Sequence, residues 1–162
     1  MILIVMGVSG TGKSTIAQAL SQALTIPTLE ADDYHPQMNI DKMSAGIPLT
    51  EKDRLPWLQA LSTELKDCDQ KQQSVILACS ALTEKSRDIL QGTLSSVTYI
   101  HLTGSRDLIL SRMASRSDHF MPTSLLDSQL DTLEPPIEAI KVDISQSIDE
   151  ITTFICSSLN GA

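Results

Sequence analysis

Aromatic side chains are nearly missing from this chain: one Trp, two Tyr and two Phe make up 3% of its 162 residues. The core must therefore be assembled from Ile, Leu, Val, Met and Ala, and with 41% hydrophobic and 20% charged residues a folded chain is expected. Basic residues are scarce as well. Twelve Lys and Arg stand against twenty Asp and Glu, a formal charge of −8. This argues against a nucleic-acid groove, which depends on many cationic contacts to phosphate. Any anionic substrate must be held by a few locally placed cations.

Cysteine is limited to Cys68, Cys79 and Cys156, an odd number at wide spacing with no C-x-x-C pair. Neither a disulfide framework nor a zinc site is expected, and the compartment should be reducing. Long apolar runs are also missing. The N-terminal run Ile2-Leu3-Ile4-Val5-Met6 is far too short to cross a membrane and lacks the basic flank of a signal peptide. It reads as a first strand, in a cytoplasmic protein with no membrane or nucleic-acid partner. There is no repeat, low-complexity tract or linker, so residues 1–162 are expected to form one domain.

What is present starts directly after that strand. Gly7-Val8-Ser9-Gly10-Thr11-Gly12-Lys13-Ser14 fills every fixed position of the phosphate-loop pattern G-x-x-x-x-G-K-[ST], and a helical pattern with Ile16, Ala17, Leu20, Ala23 and Leu24 on one face follows it. The glycines let backbone N–H groups curl inward around phosphate oxygens. Lys13 can then reach the outer phosphates, and the Ser14 hydroxyl can ligate Mg²⁺. Gly7 to Thr15 are thus the expected nucleotide-binding residues, with Ser14 the metal ligand.

Further strand-like runs cover residues 74–79 and 97–102, with weaker ones at 28–30 and 141–144, and helical patterns lie between them. That alternation predicts an α/β fold around a parallel sheet. A helix is expected after Pro56, with Trp57, Leu58, Leu61 and Leu65 on one side and a capping-box pattern, Thr50-x-x-Asp53, ahead of it. Ser147-x-x-Glu150 predicts the start of a closing helix. Two polar, proline-punctuated stretches, residues 31–57 and 112–136, should lie over the strand ends, where open parallel sheets bind ligands.

In and between these stretches stand D-D-Y-H-P (32–36), N-I-D-K-M (39–43), G-I-P-L (46–49), D-R-L-P-W-L (53–58), C-S-A-L (79–82), H-F-M-P (119–122) and L-E-P-P (133–136). With the phosphate loop they resemble the gluconokinase family of small phosphate-loop kinases, collinearly from about residue 3 to 155. Some positions depart from that pattern: Ala17 and Ala31 stand where glycine is common, Thr83 and Ser86 replace basic and aromatic residues, and Asp118 replaces a glycine. The chain is also a few residues short after Pro136. The resemblance implies a three-layer phosphate-loop kinase with a five-stranded parallel sheet, a substrate segment near 31–57 and a small helical lid near 112–136. It implies ATP-dependent phosphorylation of D-gluconate at the 6-hydroxyl, Mg²⁺ as cofactor, and a homodimer.

Phosphoryl transfer needs a phosphate cradle, a group that orients the acceptor hydroxyl, and cations over the moving phosphoryl group. The strand ending in Cys79-Ser80 carries no Asp, so a carboxylate must come from elsewhere, and Asp32 and Asp33, just beyond the second strand, are the best placed. By resemblance Asp32 faces the acceptor as general base or orienting group, whereas Asp33 can equally be a turn residue or cap. The expected catalytic set is Lys13, Asp32, Arg112 and Arg116. The last two are four apart on one helical face and read as lid arginines, or else as a solvated helix end. Expected substrate contacts are Asp32, His35, Asn39, Lys42, Arg54, Ser80, Arg87, His119 and Gln129. Plainer roles are open to several of these: a turn for His35, a helix cap for Asn39 or Ser80, surface charge for Lys42, ion pairs for Arg54 and Arg87. A shikimate-type kinase and an ATP-binding sensor without transfer chemistry are the competing functions.

Overall fold

Every side chain of β1 (Ile2–Met6) is buried, as a central strand covered on both faces requires. The computed structural model describes residues 1–114 and 124–161. β1 pairs in parallel with β3 (Val75–Ala78) and β4 (Thr98–Thr103), and β2 (Thr28–Glu30) and β5 (Ile140–Asp143) close the two edges. The sheet order is β2-β3-β1-β4-β5. All five expected strands are present, with bounds shifted by a residue or two at some ends.

Period-two alternation along β1 divides the core. Leu3 and Val5 pack with Ile16, Ala17 and Leu20 of α1 (Lys13–Leu24) and with Ile151 and Ile155 of α7 (Ile148–Asn160). Ile2, Ile4 and Met6 face Trp57, Leu58, Leu61 and Leu65 of α3 (Glu51–Gln70) and Leu90 of α4 (Glu84–Gln91). The result is the expected three layers, helices on either side of a parallel sheet. The remaining described helices are α2 (Gln37–Ser44), α5 (Arg106–Ala114) and α6 (Ser124–Thr132), with a single 3₁₀ turn at Ala31–Tyr34.

One expected boundary is corrected. α3 begins at Glu51, so Pro56 lies inside the helix instead of ahead of it. The cause is the Thr50–Asp53 capping box: the Thr50 hydroxyl accepts from Asp53 N at 3.1 Å, and the Asp53 carboxylate accepts from Thr50 N at 2.9 Å. The bond that Pro56 cannot make would have gone to the carbonyl of exposed Lys52, where water can replace it. The capping box at Ser147 and Glu150 starts α7 as expected. Thr83, one of the departures from the family pattern, caps α4 by accepting from Ser86 N at 3.1 Å.

The chain runs from β1 outward to β2, back to β3, then across to β4 and β5. The reversal opens a crevice beside β1 at the carboxyl edge of the sheet. The phosphate loop leaves β1 at that edge.

Candidate active site

The phosphate loop takes its shape from positive-φ glycines. Gly12 has φ +89° with open space around its Cα, so glycine is needed there for conformation alone. Gly10, at φ +84°, also lacks room: a Cβ would lie 2.5 Å from Met113 Cγ on α5. The loop is therefore seated directly against the helix that carries Arg112. Val8 O accepts from both Thr11 Oγ1 (2.8 Å) and Lys13 Nζ (3.2 Å), and Gly7 N donates to Ser80 O (3.3 Å), which ties the loop to the end of β3.

A cavity lies over this edge. Ser9, Lys13 and Ser14 contribute one part of its wall, Glu30, Asp32 and His35 a second, and Cys79, Ser80 and Leu82 a third. Arg54 and Trp57 of α3 and Leu125, Ser128 and Gln129 of α6 also line it. Of the sequence-predicted residues, Ser9, Lys13, Ser14, Asp32, His35, Arg54, Ser80 and Gln129 thus converge on one space. Ser80 is not a helix cap, since Thr83 takes that place. Gln129 Oε1 accepts from Ser9 N at 2.7 Å, a direct link from α6 to the phosphate loop.

Glu30 was not anticipated from the sequence. Its Oε2 accepts from Ser14 Oγ at 2.9 Å, so the hydroxyl proton is committed to the carboxylate and an oxygen lone pair is left for a cation. Burial raises the Glu30 pKa; the Ser14 bond opposes this, Asp32 and Asp33 add to it, and Lys13 opposes it. The available signal was positional: an acid at the carboxyl end of a parallel strand, two residues before Asp32.

Other predicted residues stand elsewhere. Asn39 is 1% exposed inside α2 instead of at its start, because the helix begins at Gln37. It donates to Asp53 O (2.9 Å) and to His35 Nδ1 (3.2 Å). Lys42 is spent on Asp53 at 2.8 Å, and this bond, with that from Thr50 N, lowers the Asp53 pKa to about 2. Arg87 is buried away from the cavity wall. Its Nη1 donates to Ala81 O (2.8 Å) and its Nη2 to Glu134 O (2.7 Å), so it clasps the C-S-A-L turn to the L-E-P-P segment. Ala81 sits at φ +45° in that turn, a conformation a non-glycine residue holds only when its surroundings fix it.

Arg112 Nη2 donates to Ile144 O in the turn after β5. Arg116 and His119 lie outside the described residues. Burial pushes the Cys79 thiol up to about 12, which agrees with a buried strand-end residue and not a nucleophile. Arg54 donates through Nη1 to Leu49 O at 2.8 Å. A guanidinium has five N–H donors, so others remain to meet an anion in the cavity.

Chemically, the site joins an anion cradle with a cation, two acid side chains and hydrogen-bonding groups from α3 and α6. The family model for an AAA domain matches residues 2–136. The thermosensitive gluconokinase of Escherichia coli is 40% identical over 92% of this chain and 82% of its own length, and the gluconokinase of Arabidopsis thaliana is 38% identical over 98% and 94%. Among solved structures, a gluconokinase from Sinorhizobium meliloti superimposes with a TM-score of 0.87 at 41% identity, covering 98% of this chain and 90% of that one. A shikimate kinase from Aquifex aeolicus, at 20% identity and a TM-score of 0.62, shares the fold alone. With the phosphate loop, the strand order and these relatives together, the chain belongs to the gluconokinase family.

Proposed function

We propose that this protein transfers the γ-phosphoryl group of ATP to the 6-hydroxyl of D-gluconate, giving 6-phosphogluconate and ADP. One observation carries the reading: Lys13 and Ser14 of the phosphate loop share a cavity wall with Asp32, His35 and Arg54 from the polar 31–57 stretch. Groups suited to phosphates and groups suited to a polyhydroxylated acid therefore meet at one place.

In this reading Lys13 and the inward N–H groups of residues 7–15 bind the phosphates and hold them in line with the acceptor. Asp32 orients the acceptor hydroxyl or takes its proton. Arg54 meets the substrate carboxylate, and His35, Ser80 and Gln129 address hydroxyls. Asn39, Lys42 and Arg87 support the site by fixing His35, Asp53 and the C-S-A-L turn. Arg112, Arg116 and His119 belong to a lid over residues 112–136, the two arginines offsetting charge on the moving group.

Ser14 and Glu30 offer hard oxygen donors that fit Mg²⁺, which takes a few protein ligands and completes its shell with phosphate and water. When bound, Mg²⁺ supplies charge neutralisation on the phosphate oxygens. We place this chemistry in one domain of 1–162, in a cytoplasmic homodimer.

The test is ADP release from ATP with Mg²⁺ across a panel of gluconate, other sugar acids, neutral sugars and shikimate. Gluconate should give the highest kcat/KM by a wide margin. Absence of gluconate-dependent ADP release from folded protein at saturating ATP would sink the proposal, and preference for shikimate would replace it with the shikimate-type reading.

A further inference from the structure

The substrate side of the cavity contains a histidine whose proton position is decided by its neighbours. The Asn39 amide nitrogen lies 2.9 Å from Asp53 O and 3.2 Å from His35 Nδ1. A main-chain carbonyl can only accept, so the Asn39 atom that faces it must be the NH₂ group and not the amide oxygen. That group carries two hydrogens, one for each neighbour. His35 Nδ1 is therefore an acceptor, and the proton of the neutral ring sits on Nε2.

The ring plane is fixed as well. His35 stacks on Trp57 with centroids 4.0 Å apart and planes 16° apart, and Trp57 is itself anchored by its Nε1, which donates to Ala31 O at 2.7 Å. With Asn39 buried and Trp57 only 3% exposed, neither neighbour is at liberty to turn away. The only polar atom His35 can offer the cavity is Nε2–H.

We propose that Asn39 is a positioning residue that locks His35 as a neutral Nε2–H donor, so that this part of the wall reads a hydroxyl oxygen of the sugar acid. The proposal rests on the gluconate reading and deepens it. An imidazolium would point an Nδ1–H at the hydrogens of the Asn39 NH₂, and burial also lowers the His35 pKa, opposed only in part by Asp32. The charged groups on the same wall are Lys13, Glu30, Asp32 and Arg54. Of these, Arg54 is the better match for a carboxylate, which leaves a hydroxyl for the neutral donor. The lock has a mechanistic consequence. A ring whose Nε2 already carries the proton cannot take one from the acceptor hydroxyl, so His35 is not the general base.

Two measurements test this. First, a long-range ¹H–¹⁵N correlation spectrum of the ligand-free parent near pH 7 should show His35 as the Nε2–H tautomer. Asn39→Asp, which puts an acceptor beside Nδ1, should move the proton there. Second, His35→Phe should raise the gluconate KM by about 10-fold, the scale of one lost hydrogen bond, with a smaller effect on kcat and on the ATP KM. His35→Gln, whose amide keeps a donor, should recover much of the loss. An Nδ1–H or doubly protonated His35 in the parent spectrum overturns the lock, a readout that survives even if Asn39→Asp does not fold. An unchanged gluconate KM in His35→Phe overturns the reading role. If the parent releases no ADP with gluconate, the proposed function has failed, and the parent spectrum still decides the tautomer by itself.

Discussion

In the proposed reaction Lys13 serves the phosphates, Asp32 the acceptor hydroxyl and Glu30 the metal, so their variants should separate. Lys13→Ala removes a cation from the phosphate cradle and should lower kcat severely while thermal melts stay near the parent value, because the side chain contributes nothing to the buried core. Asp32→Asn should lower kcat and spare ATP binding, measured by calorimetry; an unchanged kcat would remove Asp32 from the mechanism. Glu30→Gln should leave gluconate binding intact and raise the Mg²⁺ concentration needed for half-maximal rate, since the Ser14 hydroxyl loses its carboxylate partner. Of these three residues the sequence singled out the first two, by motif and by place. Glu30 escaped because a strand-end acid has no pattern of its own; its proposed role rests on the reach of the Ser14 hydroxyl across to β2. Asn39 and Lys42 of the N-I-D-K-M motif, and Arg87, show the converse: they are expected substrate contacts, yet their polar atoms are bonded to the protein itself.

At the scale of elements, α2 and α3, the proposed substrate side, are a joined pair. Lys42 on α2 and the Thr50 N–H together hold the Asp53 carboxyl down from 3.8 to about 2. The unfolded chain then binds this proton more readily than the folded one, so the stabilisation is present above about pH 3.8 and is lost as pH falls toward 2. Denaturation of the parent and Asp53→Asn should therefore differ by a constant amount at neutral pH and converge across that acid window. The start of α3 was legible in Thr50 and Asp53, but Pro56 gave a conflicting signal, and the cap won because the lost bond faces solvent. α5, which carries Arg112, is the second element that matters, and Arg116 lies outside the described residues. If Arg112 and Arg116 stabilise the transferring group, each Arg→Ala should lower kcat on the order of 10³-fold, more than it raises KM, with Arg→Lys a partial rescue. Arg112→Ala should also lose about 1 kcal/mol of stability with its bond to Ile144 O. Near-parental kcat in both alanine variants would withdraw the lid assignment.

Over the whole molecule, the sheet was readable because its strands are apolar and separated by helical periodicity, and parallel order follows from those crossovers. The order β2-β3-β1-β4-β5 was not legible in the same way, for it depends on which strands meet across the fold, and it is this order that opens the crevice beside β1. In a chain of net charge −8, two cations, Lys13 and Arg54, nevertheless line the cavity where anions must be held. The central claim, that this cavity moves a phosphoryl group onto the terminal hydroxyl of gluconate, is tested most directly by identifying the product. After incubation with ATP, Mg²⁺ and D-gluconate, ³¹P–¹H correlation should show one new phosphate monoester coupled to the C6 methylene protons, formed in step with ADP. A phosphate on any other carbon, or ADP accompanied only by inorganic phosphate, would contradict the account.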